Sequence, residues 1–124
     1  KNVLCLDPLE RERKVEPMKD VQNAIDSIVE TRGKDCYCIL CHAIDVAIAY
    51  QPNMPKMQVI CNEVRIRTGK RTIEAVSRAL NRSAKDIWQN GRRRELRAYW
   101  IEEPPTAKEL ISLISAKLWA DRQG

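Results

Sequence analysis

The sequence predicts an all-α fold, a compact bundle of about five to six helices that contains a helix-turn-helix. Three observations predict it. Apolar residues recur at three- and four-residue spacing in one segment after another. Proline opens several of these segments, and glycine or proline closes them. Only 4 Gly and no Phe occur among 124 residues, which argues against a β-rich chain with many tight turns.

The elements follow in order. Residues 1–16 are mixed in charge, and Pro8 interrupts the apolar Leu4, Leu6 and Leu9, so this stretch reads as an N-terminal tail or linker. The helical domain is expected over 17–124. Pro17 suits a first helical turn. Met18, Val21, Ala24, Ile25, Ile28 and Val29 then form an apolar stripe, and Gly33 stops it. The run from Tyr37 to Tyr50 is apolar nearly all round, as in a central buried helix, and Gln51-Pro52-Asn53 ends it. Pro55 opens a short third helix with Met57, Ile60, Cys61 and Val64 inward. Arg65-Ile66-Arg67-Thr68-Gly69 reads as a basic turn. A long helix from about Lys70 to Asn90 comes next, and Gly91 is placed to cap it. Residues 92–103 run from basic to aromatic to acidic without a periodic pattern. Pro104-Pro105-Thr106 opens the last helix, where Thr106 and Glu109 have capping-box spacing and Leu110, Ile111, Ile114 and Leu118 give the buried stripe.

The length fits about one domain and leaves little room for a doubly wound sheet or a barrel. A charged fraction of 31% and no apolar run near the ~18 residues of a span argue against a membrane protein. No basic-then-apolar leader opens the chain, so the expected location is the cytoplasm.

The formal net charge is +5. Between Arg65 and Arg97 there are eleven basic residues against three acidic, a balance of +8, while the rest of the chain carries eleven against fourteen, or −3. Clustered Arg and Lys on a small domain suit a polyanion, because phosphate contacts release counterions. The plain alternative is a solvated face that binds nothing.

A helical projection of residues 71–88, at about 100° per residue, sharpens this. Ile73, Val76, Leu80, Ala84 and Ile87 share one narrow arc. Arg71, Glu74, Arg78, Arg82 and Lys85 share the opposite arc, flanked by Ser77 and Asn81. One face is core. The other has the composition of a helix that lies in a major groove, with Arg for phosphates or guanine edges and short polar side chains for bases. Glu74, Ser77, Arg78, Asn81 and Arg82 are the base-facing candidates. Arg65, Arg67, Lys70, Arg71, Lys85, Arg92, Arg93 and Arg94 are the phosphate candidates. A short helix and a turn ahead of it make a helix-turn-helix, although Val64 to Thr72 is longer than the usual three or four residues.

Thr72-Ile73-Glu74-Ala75-Val76-Ser77-Arg78-Ala79-Leu80, followed by Trp88 and Gly91, resembles the recognition-helix region of the C-terminal DNA-binding effector domain of the stage-0 master sporulation regulator family, whose helix runs T-x-x-x-V-x-R-A-I and ends in W-x-x-G. Pro105-Thr106-x-x-Glu109-x-Ile111 and Ala116-Lys117-Leu118 match its last helix. Ser27-Ile28-Val29 before Gly33, and Tyr37 with Ala43-Ile44, fit its first two. The resemblance spans about residues 18–119. It implies a sequence-specific bacterial transcription regulator that binds double-stranded DNA, as a homodimer or as adjacent copies on tandem sites, with a regulatory receiver domain upstream of this chain. By position, Thr72, Glu74, Ala75, Ser77 and Arg78 would occupy the DNA-facing start of the helix. Ala75 replaces a family Arg and Ser77 a family Glu. That departure motivates an alternative, a protein–protein interaction module on the same fold that has lost specific DNA reading.

Five cysteines without a leader suit a reducing compartment. Cys36-x-Cys38-x-x-Cys41-His42 has the ingredients of a metal box, but not the spacing of paired zinc knuckles. One helix through these residues would also scatter the ligands, so no metal and no other cofactor is expected, and buried thiols are the favoured reading. His42 is the single histidine, and Asp45 one turn on suits a helix-surface contact. No nucleophile–base pair and no glycine-rich phosphate loop is present, so the chain reads as a non-enzyme. Trp88, Trp100 and Trp119 are expected as core or interface anchors.

Overall fold

The computed structural model describes residues 19–29 and 35–123. Among these the chain forms six helices and no strand: α1 (19–28), α2 (Asp35–Tyr50), α3 (Met57–Thr68), α4 (Ile73–Asn90), α5 (Arg93–Ala98) and α6 (Ala107–Gln123). The all-α bundle is therefore as the sequence predicts. The tail at 1–16, and Pro17, Met18 and Gly33, lie outside the described residues. No helix among the described residues is long and apolar enough to cross a membrane.

The element that is apolar all round takes the centre. α2 packs against α3, α4 and α6, and Tyr37, Ile39, Leu40, Ala43, Ile44, Val46 and Ala47 along it are buried. The amphipathic helices close over it with their predicted stripes. Val21, Ile25 and Ile28 of α1, Ile60 and Val64 of α3, and Leu110, Ile111 and Ile114 of α6 are all sealed from solvent. Each such side chain contributes about 1.5–3 kcal/mol of transfer free energy. At the start of α6, the Thr106 amide donates to Glu109 Oε1 (2.9 Å) and the Glu109 amide donates to Thr106 Oγ1 (3.1 Å), the reciprocal bonds of a capping box.

Three boundaries differ from the sequence expectation. The predicted basic turn is largely helix: Arg65 to Thr68 form the last turn of α3, Thr68 Oγ1 donates to the Val64 carbonyl (2.8 Å), and Gly69 ends the helix in the left-handed region at φ 74°. α4 begins at Ile73, not Lys70, because Thr72 is its N-cap and accepts from the Ala75 amide (3.0 Å). The connection between α3 and α4 is thus the four residues 69–72. Finally, the unassigned 92–103 contains α5.

Gly91 ends α4 as expected, but for a different reason. Its backbone is extended rather than left-handed, and its amide donates to the Ile87 carbonyl (2.7 Å). A Cβ there would collide with that carbonyl and press on Ile28 of α1. Glycine is required chiefly by the Ile87 carbonyl of α4 itself, and Ile28 of α1 narrows the space further.

Candidate nucleic-acid interface

The site is built on α4. Val76, Leu80, Ser83, Ala84 and Ile87 are buried along one side, with Ile73 half-buried at the start. Ser83 is fully buried, and its hydroxyl donates to the Ala79 and Leu80 carbonyls (both 3.0 Å), so a polar residue joins the core without an unsatisfied group. The opposite side is exposed at Glu74, Arg78, Asn81, Arg82 and Lys85, with Arg71 exposed just ahead of the helix. Ala75 and Ser77 are half-buried at its margins. Thr72 is exposed, but its oxygen is engaged in the cap.

The acids near this face hardly neutralise it. Asp86 accepts from the buried Tyr37 hydroxyl on α2 and from Asn90 Nδ2 (2.6 Å), which ties it to the scaffold. Burial and the Asp86 carboxylate together hold the Tyr37 hydroxyl far above its ordinary titration range, so it remains a donor. Glu74 sits in the first turn, where a carboxylate complements the helix dipole. Among the described residues, Arg71, Arg78, Arg82 and Lys85 have no hydrogen-bond or ion-pair partner.

Several predicted phosphate ligands are instead engaged inside the molecule. Arg67 pairs with Asp45 of α2 (2.8 Å). Arg65 donates twice to Asn62 Oδ1 (3.3 and 3.1 Å) within its own helix. Arg92 fastens α1: its amide donates to the Ile28 carbonyl (2.7 Å) and Nη1 to the Ser27 carbonyl (2.9 Å). Arg93 Nη1 donates to the Trp88 carbonyl (2.7 Å), and its guanidinium stacks 3.8 Å from the Trp88 ring centroid. Arg92 and Arg93 thus satisfy orphan carbonyls at helix ends, and Arg67 meets an acid on a neighbouring helix. Lys70 also has an interaction within the protein. Arg94 of α5 stays exposed and unpartnered among the described residues, as does Arg97, which the sequence reading counted but did not assign.

The cysteine segment lies on α2. Cys41 is buried, Cys38 exposed and Cys36 half-buried, and no group of three His, Cys, Asp or Glu arranged to hold a metal occurs among the described residues. Burial pushes the Cys41 thiol up to about 12, and the Cys61 thiol also rises, so both stay protonated and unreactive. Cys38 is the departure from the expected buried thiols. Cys5 lies outside the described residues. Burial lowers the His42 pKa, and Arg67 adds to it. Among the described residues, His42 Nδ1 is enclosed without a hydrogen-bond partner. Trp88 and Trp119 pack against the core, whereas Trp100 is exposed.

The chain matches no protein-family model, no curated protein and no solved structure.

Proposed function

We propose that this domain binds double-stranded DNA in a sequence-selective manner, with α4 in the major groove. The observation that carries the reading is the exposed face of α4, where Arg78, Arg82 and Lys85 stand with Asn81 and have no partner among the described residues. Arg67, Arg92 and Arg93 are exposed but already paired within the protein, whereas the unpaired cations on one rigid face are available to a polyanion. The order of α3, a four-residue connection and α4 fits a helix-turn-helix, and removes the long loop that the sequence suggested. The resemblance to the sporulation-regulator effector family points the same way, including the use of Arg78 as a reader.

In this reading Arg78, Arg82, Asn81 and Glu74 meet base edges, while Arg71, Lys85 and Arg94 meet phosphates. Arg67, Arg92 and Arg93 take structural duties. The test is selection of bound sequences from random duplexes at two salt concentrations. An enriched sequence, with affinity that falls as salt rises, is expected. Retention without enrichment would remove sequence selectivity, and no retention at low salt would remove DNA binding, leaving the protein–protein module as the alternative.

A further inference from the structure

Between α5 and α6 the chain makes a turn whose backbone and side chain ask for different residues. The Ile101 amide donates to the Leu96 carbonyl (3.0 Å) and the Trp100 amide to the Arg97 carbonyl (2.9 Å), the bond pair of a Schellman cap on α5. The apolar contact of that motif is supplied by Leu96 and Ile101, both buried. Trp100 occupies the left-handed position at φ 62°, where glycine or asparagine is the residue of lowest cost. Trp100 is 69% exposed and so adds little to the core. Neither the turn nor the interior accounts for a tryptophan here.

The indole lines an open groove of about 460 Å³. Pro105 and the half-buried Leu113 of α6 supply apolar wall, and Glu102, Glu103 and Glu109 supply the rim. Glu109 is partly spent on the α6 cap. Glu102 and Glu103 are exposed and have no partner among the described residues. An aromatic face beside free carboxylates is complementary to a cation carried on an aliphatic stem.

We propose that this groove docks an arginine- or lysine-bearing peptide segment of a partner protein. The cationic head lies between the Trp100 ring and the Glu102 and Glu103 carboxylates, and the stem lies along Leu113 and Pro105. The proposal does not depend on the nucleic-acid reading, since it uses neither α4 nor its cations.

The test is calorimetric titration of the full chain with a capped peptide of alternating arginine and alanine, beside a control in which glutamine replaces arginine. Binding of the arginine peptide alone is expected. Trp100→Gly and Trp100→Asn, which both suit the left-handed backbone, should weaken it at least about tenfold while the thermal midpoint stays level or rises. Glu102→Gln with Glu103→Gln should weaken it as well. Absence of binding, or binding undiminished in the Trp100 variants, overturns the proposal. So does a fall in thermal midpoint in both Trp100 variants, which would give the indole a folding role. Sedimentation showing self-association of the parent that Trp100→Gly abolishes would make a second copy the occupant and overturn the peptide assignment.

Discussion

Two groups of arginines lie within one basic stretch of sequence and meet opposite fates. Arg78 and Arg82 on α4 are exposed and unpartnered among the described residues. Arg67, Arg92 and Arg93, at or beside helix ends, are fastened to Asp45, to the carbonyls closing α1 and to Trp88. The side chain is the same in both groups. What differs is the supply of acceptors. A helix end exposes carbonyls that its own ladder cannot satisfy, and Arg92 and Arg93 take these at α1 and α4, while Arg67 meets the Asp45 carboxylate of α2. The exposed middle of α4 brings Arg78 and Arg82 no such acceptor among the described residues, so these cations remain for an outside partner. Charge counted along a sequence is therefore an upper bound on charge offered to a ligand.

Substitutions can break or sharpen this contrast. The largest effect is expected from Arg78→Ala, which should cost about 1–3 kcal/mol of specific DNA binding and relax sequence preference, read by competition against variant duplexes. Lys85→Ala should weaken all duplexes alike and shrink the salt slope by about 0.9, the loss of one phosphate contact. Arg92→Ala should leave that slope untouched and cost about 1 kcal/mol of stability, because it releases carbonyls at the end of α1; denaturant melts give the second number. Were the Arg92 variant to change the salt slope as Lys85→Ala does, the division into two groups would collapse. Arg67→Ala should be smaller still, about 0.5 kcal/mol, since its pair with Asp45 is partly solvated.

The smallest expected effect is one of pH. Burial first, and Arg67 second, hold the folded-state pKa of His42 below its ordinary 6.5. The unfolded chain then binds the proton more readily, so stability is complete above pH 6.5 and declines as pH falls through 6.5 toward the folded value. His42→Leu should flatten that decline in urea melts recorded across the range. A profile identical to the parent's would show that His42 is not the group responsible.

Much of the fold was legible because its signals are local. Period and caps placed α2 and α6, and the Thr106–Glu109 box forms as its spacing requires. The α3–α4 boundary was not legible, because Arg65, Arg67 and Thr68 are as acceptable in a helix as in a turn. Gly69 alone marked the stop. Of the candidate site, the exposed face of α4 was readable from the 3.6-residue period, since core and solvent sides follow from one another. The fates of Arg67, Arg92 and Arg93 were not readable, because their partners come from α2, from α1 and from the end of α4. That Trp100 lies outside the core was not readable for a related reason. Nothing in its neighbourhood in sequence announces the left-handed cap that turns it outward.

By itself the sequence determined the helices, their buried stripes and the placing of basic residues on one face of α4, because each depends on spacing along a single helix. Tertiary structure alone decided which cations of the basic stretch are engaged inside the protein and where Trp100 opens on an acidic groove. Each of these depends on what another helix brings within hydrogen-bond or van der Waals reach, and that distance is not encoded in any one segment.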